Sequence, residues 1–157
     1  DLPATALTVE ITETFLLQDL ALSRRHIERL AAKGVRIALD DFGTGYSNLR
    51  ALMNLPIHTV KLDRSLIADV GRDPRVSKLV KAMLQAARSL GVSIVAEGVE
   101  EEAQAVFLRA AGCDRMQGYW FARPMPADDM EIRLRNARPP QAAPEPAMFE
   151  ALRRAVG

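Results

Sequence analysis

The chain has 157 residues, 48% of them hydrophobic and 26% charged, which is enough apolar material for one sizeable core in roughly one domain. Lys and Arg number 21 against 20 Asp and Glu, a formal net charge of +1 with the signs interspersed, and this excludes the broad basic field that drives sequence-independent binding of nucleic-acid polymers. Cys113 is the only cysteine, so no internal disulfide framework exists and a reducing, cytoplasmic setting fits; no apolar run reaches membrane-span length, and no signal peptide precedes the first strand.

Taken in chain order, the apolar run Leu7 to Thr12 predicts a strand, and Leu20 to Lys33 an amphipathic helix. Val35 to Leu39 predicts the second strand, closed by Asp40-Asp41-Phe42-Gly43-Thr44-Gly45-Tyr46-Ser47, with a short helical segment from Ser47 to Met53. Thr59 to Leu62 is the third strand, Arg75 to Leu90 a helix, Ser93 to Ala96 the fourth strand, Glu101 to Ala111 a helix, and roughly Arg115 to Phe121 the fifth strand. Several strands read as apolar on both faces, as in a parallel sheet covered by helices. Gly34, Gly91 and Gly112 each stand just past a helical pattern, where a left-handed glycine ends a helix. Asp73-Pro74 gives an N-cap and a first-turn proline, and Pro126 with Asp128 and Asp129 opens a last helix to about Arg135.

The domain is expected to run over residues 1–138. Residues 139–146 form a proline-rich linker, and residues 147–157, with Phe149, Leu152 and Val156 at helical spacing, form a short helix or a frayed tail. The sequence opens at Asp1 rather than at a methionine, and it reads as an internal piece of something longer.

The repeated unit is strand, loop, helix, which predicts an α/β fold with parallel strands. In such folds the C-terminal ends of the strands converge on the active site. Here every strand ends in ionisable or amide side chains: Glu10 and Glu13, Asp40 and Asp41, Lys61 and Asp63, Glu97 and Glu100, then Gln117. Neighbouring residues point to opposite faces of a strand, so Asp40 and Asp41 can serve one site only where the strand ends and the backbone turns. The pair could bridge divalent cations, or act as an N-cap and turn. A carboxylate set without paired His or Cys favours Mg²⁺ or Mn²⁺ over zinc, and two such cations could drive phosphodiester hydrolysis. Lys61 would hold a water or a phosphate oxygen, or form an ion pair with a neighbouring acid. His26, on a helical segment, and His58, before a strand, are not placed as ligands.

Val9-Glu10-Ile11-Thr12-Glu13, the Asp40 to Ser47 loop, Lys61-Leu62-Asp63, Ala96-Glu97-Gly98-Val99-Glu100 and Gln117-Gly118-Tyr119 resemble, in order and spacing, the successive motifs of EAL-domain cyclic-di-GMP phosphodiesterases. The resemblance covers Leu7 to about Pro126. It implies a TIM-like (β/α) barrel that hydrolyses cyclic di-GMP to linear pGpG with a two-metal Mg²⁺ or Mn²⁺ site. It further implies that Glu10 binds a first metal, Asp40 is shared by both, and Asp41 binds the second. Glu97 matches a second-metal ligand or general base, Lys61 the lysine near the hydrolytic water, and Gln117 a supporting glutamine. Glu13 resembles the brace of the loop from Phe42 to Ser47, a loop linked in the family to metal binding and to homodimers; Asp63 and Glu100 match supporting positions. Asn48 falls where a serine is common.

The family's first strand, with its Glu-Ala-Leu glutamate, and a later strand bearing an asparagine ligand have no counterpart in this sequence; Glu150-Ala151-Leu152 spells the tripeptide by coincidence, beyond the linker. The expected fold is therefore a partial barrel of five parallel strands, the C-terminal portion of an EAL domain, with an open edge and poor activity in isolation. The parent could carry upstream sensory or GGDEF-type domains and be membrane-anchored, with this segment cytoplasmic and itself making no membrane contact. A non-catalytic cyclic-di-GMP receptor and a self-associating half-barrel are the alternatives.

Overall fold

The structure, a computed structural model, describes residues 2–43 and 49–136, the backbone alone for 49–51. Five parallel strands, β1 (Thr8–Thr12), β2 (Arg36–Phe42), β3 (Thr59–Leu62), β4 (Ser93–Ala96) and β5 (Arg115–Met116), pair in chain order. Between them lie α1 (Glu13–Gln18), α2 (Leu20–Ala31), α3 (Leu49–Asn54), α4 (Arg64–Ala68), α5 (Pro74–Ser89) and α6 (Glu102–Ala110). These elements belong to one compact unit, Asp1–Ala122; a second, Arg123–Gly157, contains α7 (Ala127–Asn136). Among the described residues no helix is long and apolar enough to cross a membrane.

Crossovers between neighbouring parallel strands are right-handed, so consecutive pairing sends every connecting helix to the same face. That face is the core: Ile37, Leu39, Val60, Leu62, Ile94 and Ala96 are each at most 2% exposed. They cluster with Leu16, Ile27, Ile67, Val80, Leu84 and Leu108 from the helices. Each such aliphatic side chain contributes roughly 1.5–3 kcal/mol by leaving water. The opposite face carries Thr8, Arg36, Thr59 and Arg115, with Ala38 and Val95 as its apolar members, so most of the strands are not apolar on both sides as expected. Strand alternation gives an apolar outer face and a polar inner one, the geometry of a segment of barrel wall. β1 and β5 do not pair with each other, and the sheet stays open.

β3 and β4 have the predicted bounds, whereas β2 runs on to Phe42 and β5 stops at Met116 instead of reaching Phe121. The early stop comes from a turn at Gly118: the Phe121 N–H donates to the Gly118 carbonyl, 3.0 Å, and the Trp120 N–H to the Val99 carbonyl, 3.0 Å. Two short helices are additions to the sequence reading. α1 is capped by Thr12 Oγ1, which accepts from the Phe15 N–H at 3.3 Å, and α4 by Asp63 Oδ1, which accepts from Ser65 at 2.9 Å. The predicted caps hold for α5, where Asp73 Oδ1 accepts from the Arg75 N–H at 2.6 Å and Pro74 sits in the first turn. Gly34, Gly91 and Gly112 follow their helices at φ of 85°, 70° and 79°, as the pattern requires. α7 starts with Asp128 and Asp129 and ends with Arg133 and Arg135, charges that complement the helix dipole. The predicted linker at 139–146, the tail at 147–157, Thr44 to Asn48 and the Glu150-Ala151-Leu152 tripeptide lie outside the described residues.

Candidate active site

Lys61 lies on β3, the central strand, between Val60 and Leu62, which anchor their side chains in the core. Its own side chain therefore points to the inner face, where it is 13% exposed. Three carboxylates from three other chain segments meet its ammonium: Glu10 Oε2 of β1 at 2.9 Å, Asp40 Oδ1 of β2 at 3.1 Å and Glu97 Oε1, just past β4, at 2.9 Å. Burial alone lowers the pKa of an ammonium, yet the hydrogen bonds it donates to Glu10, Glu97 and Asp40 together outweigh it. The Lys61 pKa is raised well above its ordinary value, and the side chain stays charged.

Asp40 and Asp41 are separated by a bulge rather than by the end of the strand. Leu39 pairs with Val60 and Phe42 with Leu62, so two residues of β2 stand opposite Lys61 alone. Asp41 takes the extra place in a left-handed conformation, φ 55°, which aspartate tolerates better than most residues. Its N–H donates to Asp40 Oδ1 at 3.0 Å. Asp40 thus keeps the inner face beside Lys61, while Asp41 is exposed at the lip.

Gln117, one residue past β5, extends the ladder: its N–H donates to the Ala96 carbonyl at 2.8 Å, and its carbonyl accepts from the Val99 N–H at 3.0 Å. Both bonds flank Glu97. Gln117, Lys61 and Glu10 line a groove of about 220 Å³ on the inner face. Asp63 faces the next helix, where the Ser65 hydroxyl donates to its Oδ1 at 2.5 Å; that bond, with the Ser65 and Arg64 backbone, lowers its pKa despite burial. Glu13 is buried, 5% exposed, in the first turn of α1. Glu100 is exposed, its N–H held by Gln104 Oε1 at 2.9 Å. His58 stands at the far end of the strands, where its Nδ1 accepts from the Ile37 N–H at 3.1 Å. Burial pushes the Cys113 thiol up, away from the reactive thiolate.

Arg36, Thr59 and Arg115 also line the groove and were not singled out in the sequence. Their signal is alternation: they lie an even number of residues before Asp40, Lys61 and Gln117, hence on the same strand face. Among the described residues no three of His, Cys, Asp and Glu stand close enough by themselves to hold a metal ion; the acidic groups focus on the Lys61 ammonium. The donor set is nonetheless all oxygen, all anionic and gathered around one cation, the chemistry that suits a hard divalent ion.

Residues 1–124 match the model of the EAL domain. The chain belongs to the EAL domain family. The bifunctional diguanylate cyclase/cyclic di-GMP phosphodiesterase MucR of Pseudomonas aeruginosa is 44% identical over 124 residues, 79% of this chain and 18% of MucR. The structure of the MucR phosphodiesterase in complex with c-di-GMP superposes with a TM-score of 0.78 at 43% identity, over 82% of this chain and 52% of that one. The EAL domain of Mycobacterium smegmatis DcpA gives 0.80 at 40% identity, over 88% and 62%. Klebsiella pneumoniae BlrP1, solved in manganese/cy-diGMP and calcium/cy-diGMP complexes, gives 0.75 at 31% identity, over 78% and 31%. The chain spans only 16% to 24% of the curated relatives it matches. The five parallel strands with their helices are thus part of an EAL fold, the TIM-like architecture expected from the motifs.

Proposed function

We propose that this EAL chain is the C-terminal portion of a metal-dependent phosphodiesterase domain that hydrolyses cyclic di-GMP to linear pGpG. The observation that carries the reading is the convergence of Glu10 of β1, Asp40 of β2 and Glu97, just past β4, on Lys61 at one lip of the sheet. Glu10, Asp40, Asp41 and Glu97 are the residues that would hold Mg²⁺ or Mn²⁺. Such ions supply electrostatic stabilisation of the phosphate in the transition state and acidify water.

The protein's own groups divide the remaining work. Glu97 accepts the proton of the attacking water at a carboxylate oxygen, and the Lys61 ammonium holds that water or a phosphate oxygen as a point charge. Gln117 positions the site by pinning the backbone on both sides of Glu97. Glu13, Asp63 and Glu100 stabilise the lip segments that carry these groups. A complete barrel requires strands upstream of β1, supplied in the parent, and the parent pairs as a homodimer with sensory or GGDEF-type domains upstream. The domain works in the cytoplasm.

The test is cyclic-di-GMP hydrolysis with Mn²⁺, followed by nucleotide chromatography, on this chain and on a chain extended upstream by the missing strands. Product pGpG is expected from the extended chain, with the shorter one poorly active. Asp40→Asn in the extended chain should lower turnover by about 100-fold or more with the fold intact. Near-normal turnover of that variant refutes the assignment, and binding without cleavage by the unaltered extended chain identifies a receptor.

A further inference from the structure

The Lys61 contacts are complete in a way that bears on how the site is loaded. An ammonium has three protons, and Lys61 faces three carboxylate oxygens, from β1, β2 and the end of β4. Asp40 and Glu97 are about one-fifth exposed, so these acids are partly withdrawn from water and would repel one another if left alone. One ammonium against three carboxylates leaves two negative charges uncompensated, so the cluster still attracts a divalent cation after Lys61 has seated. The lysine is also a member that can move. Its four-carbon stem rotates about a backbone fixed in the middle of the sheet, whereas Asp40 is held on a short stem by the Asp41 N–H.

We propose that Lys61 is a resident counter-cation: in the metal-free protein its ammonium holds Glu10, Asp40 and Glu97 together, and an arriving divalent cation displaces it from their focus. This rests on the metal-dependent reading above and adds the way the site is loaded. Two things follow. The lip is kept assembled without metal, so the carboxylates have only to close in on the cation as it replaces the ammonium. The displaced ammonium swings into the groove beside Gln117, where a phosphate oxygen becomes its new partner, so cation binding itself arms the lysine. The lysine opposes metal affinity and favours preorganisation, and the two effects have opposite signs in a variant that lacks the charge.

The experiment is titration calorimetry of Mn²⁺ alone into the chain extended upstream by the missing strands, freed of metal, unaltered and as Lys61→Met, with thermal unfolding of both in EDTA and in saturating Mn²⁺. Methionine keeps most of the stem and removes the charge. The expected result is an Mn²⁺ dissociation constant about tenfold or more lower in Lys61→Met, together with a lower unfolding midpoint in EDTA that Mn²⁺ restores. A lysine that merely supports the fold predicts the reverse, a weaker metal site in a destabilised protein. Unchanged or weaker Mn²⁺ binding by folded Lys61→Met, with clear binding by the unaltered chain, overturns the exchange and leaves the metal site standing. Absence of Mn²⁺ binding by both overturns the metal-dependent reading and the exchange with it. Should Lys61→Met fail to fold, the ammonium is followed directly by nitrogen NMR of the unaltered chain. Slow proton exchange at Lys61 Nζ in EDTA, lost on saturation with Mg²⁺, supports the exchange, and slow exchange that persists at saturation overturns it.

Discussion

Gly118→Ala tests the turn that ends β5 and seats Gln117. A Cβ built at Gly118 overlaps the Val99 carbonyl oxygen and amide nitrogen and lies 2.6 Å from the Val99 carbonyl carbon. Those atoms are backbone and cannot rotate away, so either the β5 turn or the segment carrying Glu97 must shift. Overpacking of this kind costs typically 1–3 kcal/mol. The shift also strains the hydrogen bonds from Gln117 to Ala96, from Val99 to Gln117 and from Trp120 to Val99, each with a net value of about 1 kcal/mol. A loss of about 3 kcal/mol is expected. In urea, at a slope of roughly 1.5 kcal/mol/M, the unfolding midpoint should fall by about 2 M. Gly91→Ala is the control: its φ is 70° and a Cβ there meets nothing within 4 Å, so only the left-handed backbone penalty of about 1–2 kcal/mol applies. Equal shifts for the two variants, or a Gly118→Ala shift under about 0.3 M, would refute the close-approach argument.

Leu62→Ala empties a fully buried position between the sheet and the helices and should cost about 2–5 kcal/mol, read from the same urea curves; a loss under about 1 kcal/mol would mean that the core collapses around it. Asp63→Ala removes the α4 cap and should cost about 1 kcal/mol near neutral pH, whereas Asp63→Asn should cost only a few tenths. The Asp63 pKa is lowered in the folded chain, so its charge stabilises the fold above the ordinary aspartate range, and this contribution is lost as pH falls from that range through the lowered folded value. The stability gap between the unaltered chain and Asp63→Asn should therefore narrow as pH falls below about 4; a gap that widens on acidification contradicts the sign.

Which residues gather at the strand ends was legible in the sequence, but their spatial relations were not, and the difference has a physical origin. Strand-end residues announce themselves because an apolar run closing on Glu10, Asp40, Lys61, Glu97 and Gln117 leaves few other places for them. Which of them touch is set by register. Register at Asp40 and Asp41 turns on a single inserted residue, and the sequence around it reads equally well as a strand end. The same one-residue insertion decides that Asp40 faces Lys61 and Asp41 does not, because a slip by one reverses every side chain that follows. The fifth strand was read too long for a related reason: Tyr119, Trp120 and Phe121 have the composition of a strand, and the turn is imposed by contact of Gly118 with Val99, distant in sequence. α1 and α4 are too short for helical periodicity to show, although Thr12 and Asp63 carried the capping signal. The groove residues Arg36, Thr59 and Arg115 could have been found by stepping back two or four places from each lip residue. Only the fold says that these positions share one cavity with Lys61, and that the lysine there is held by acids from both sides of its strand.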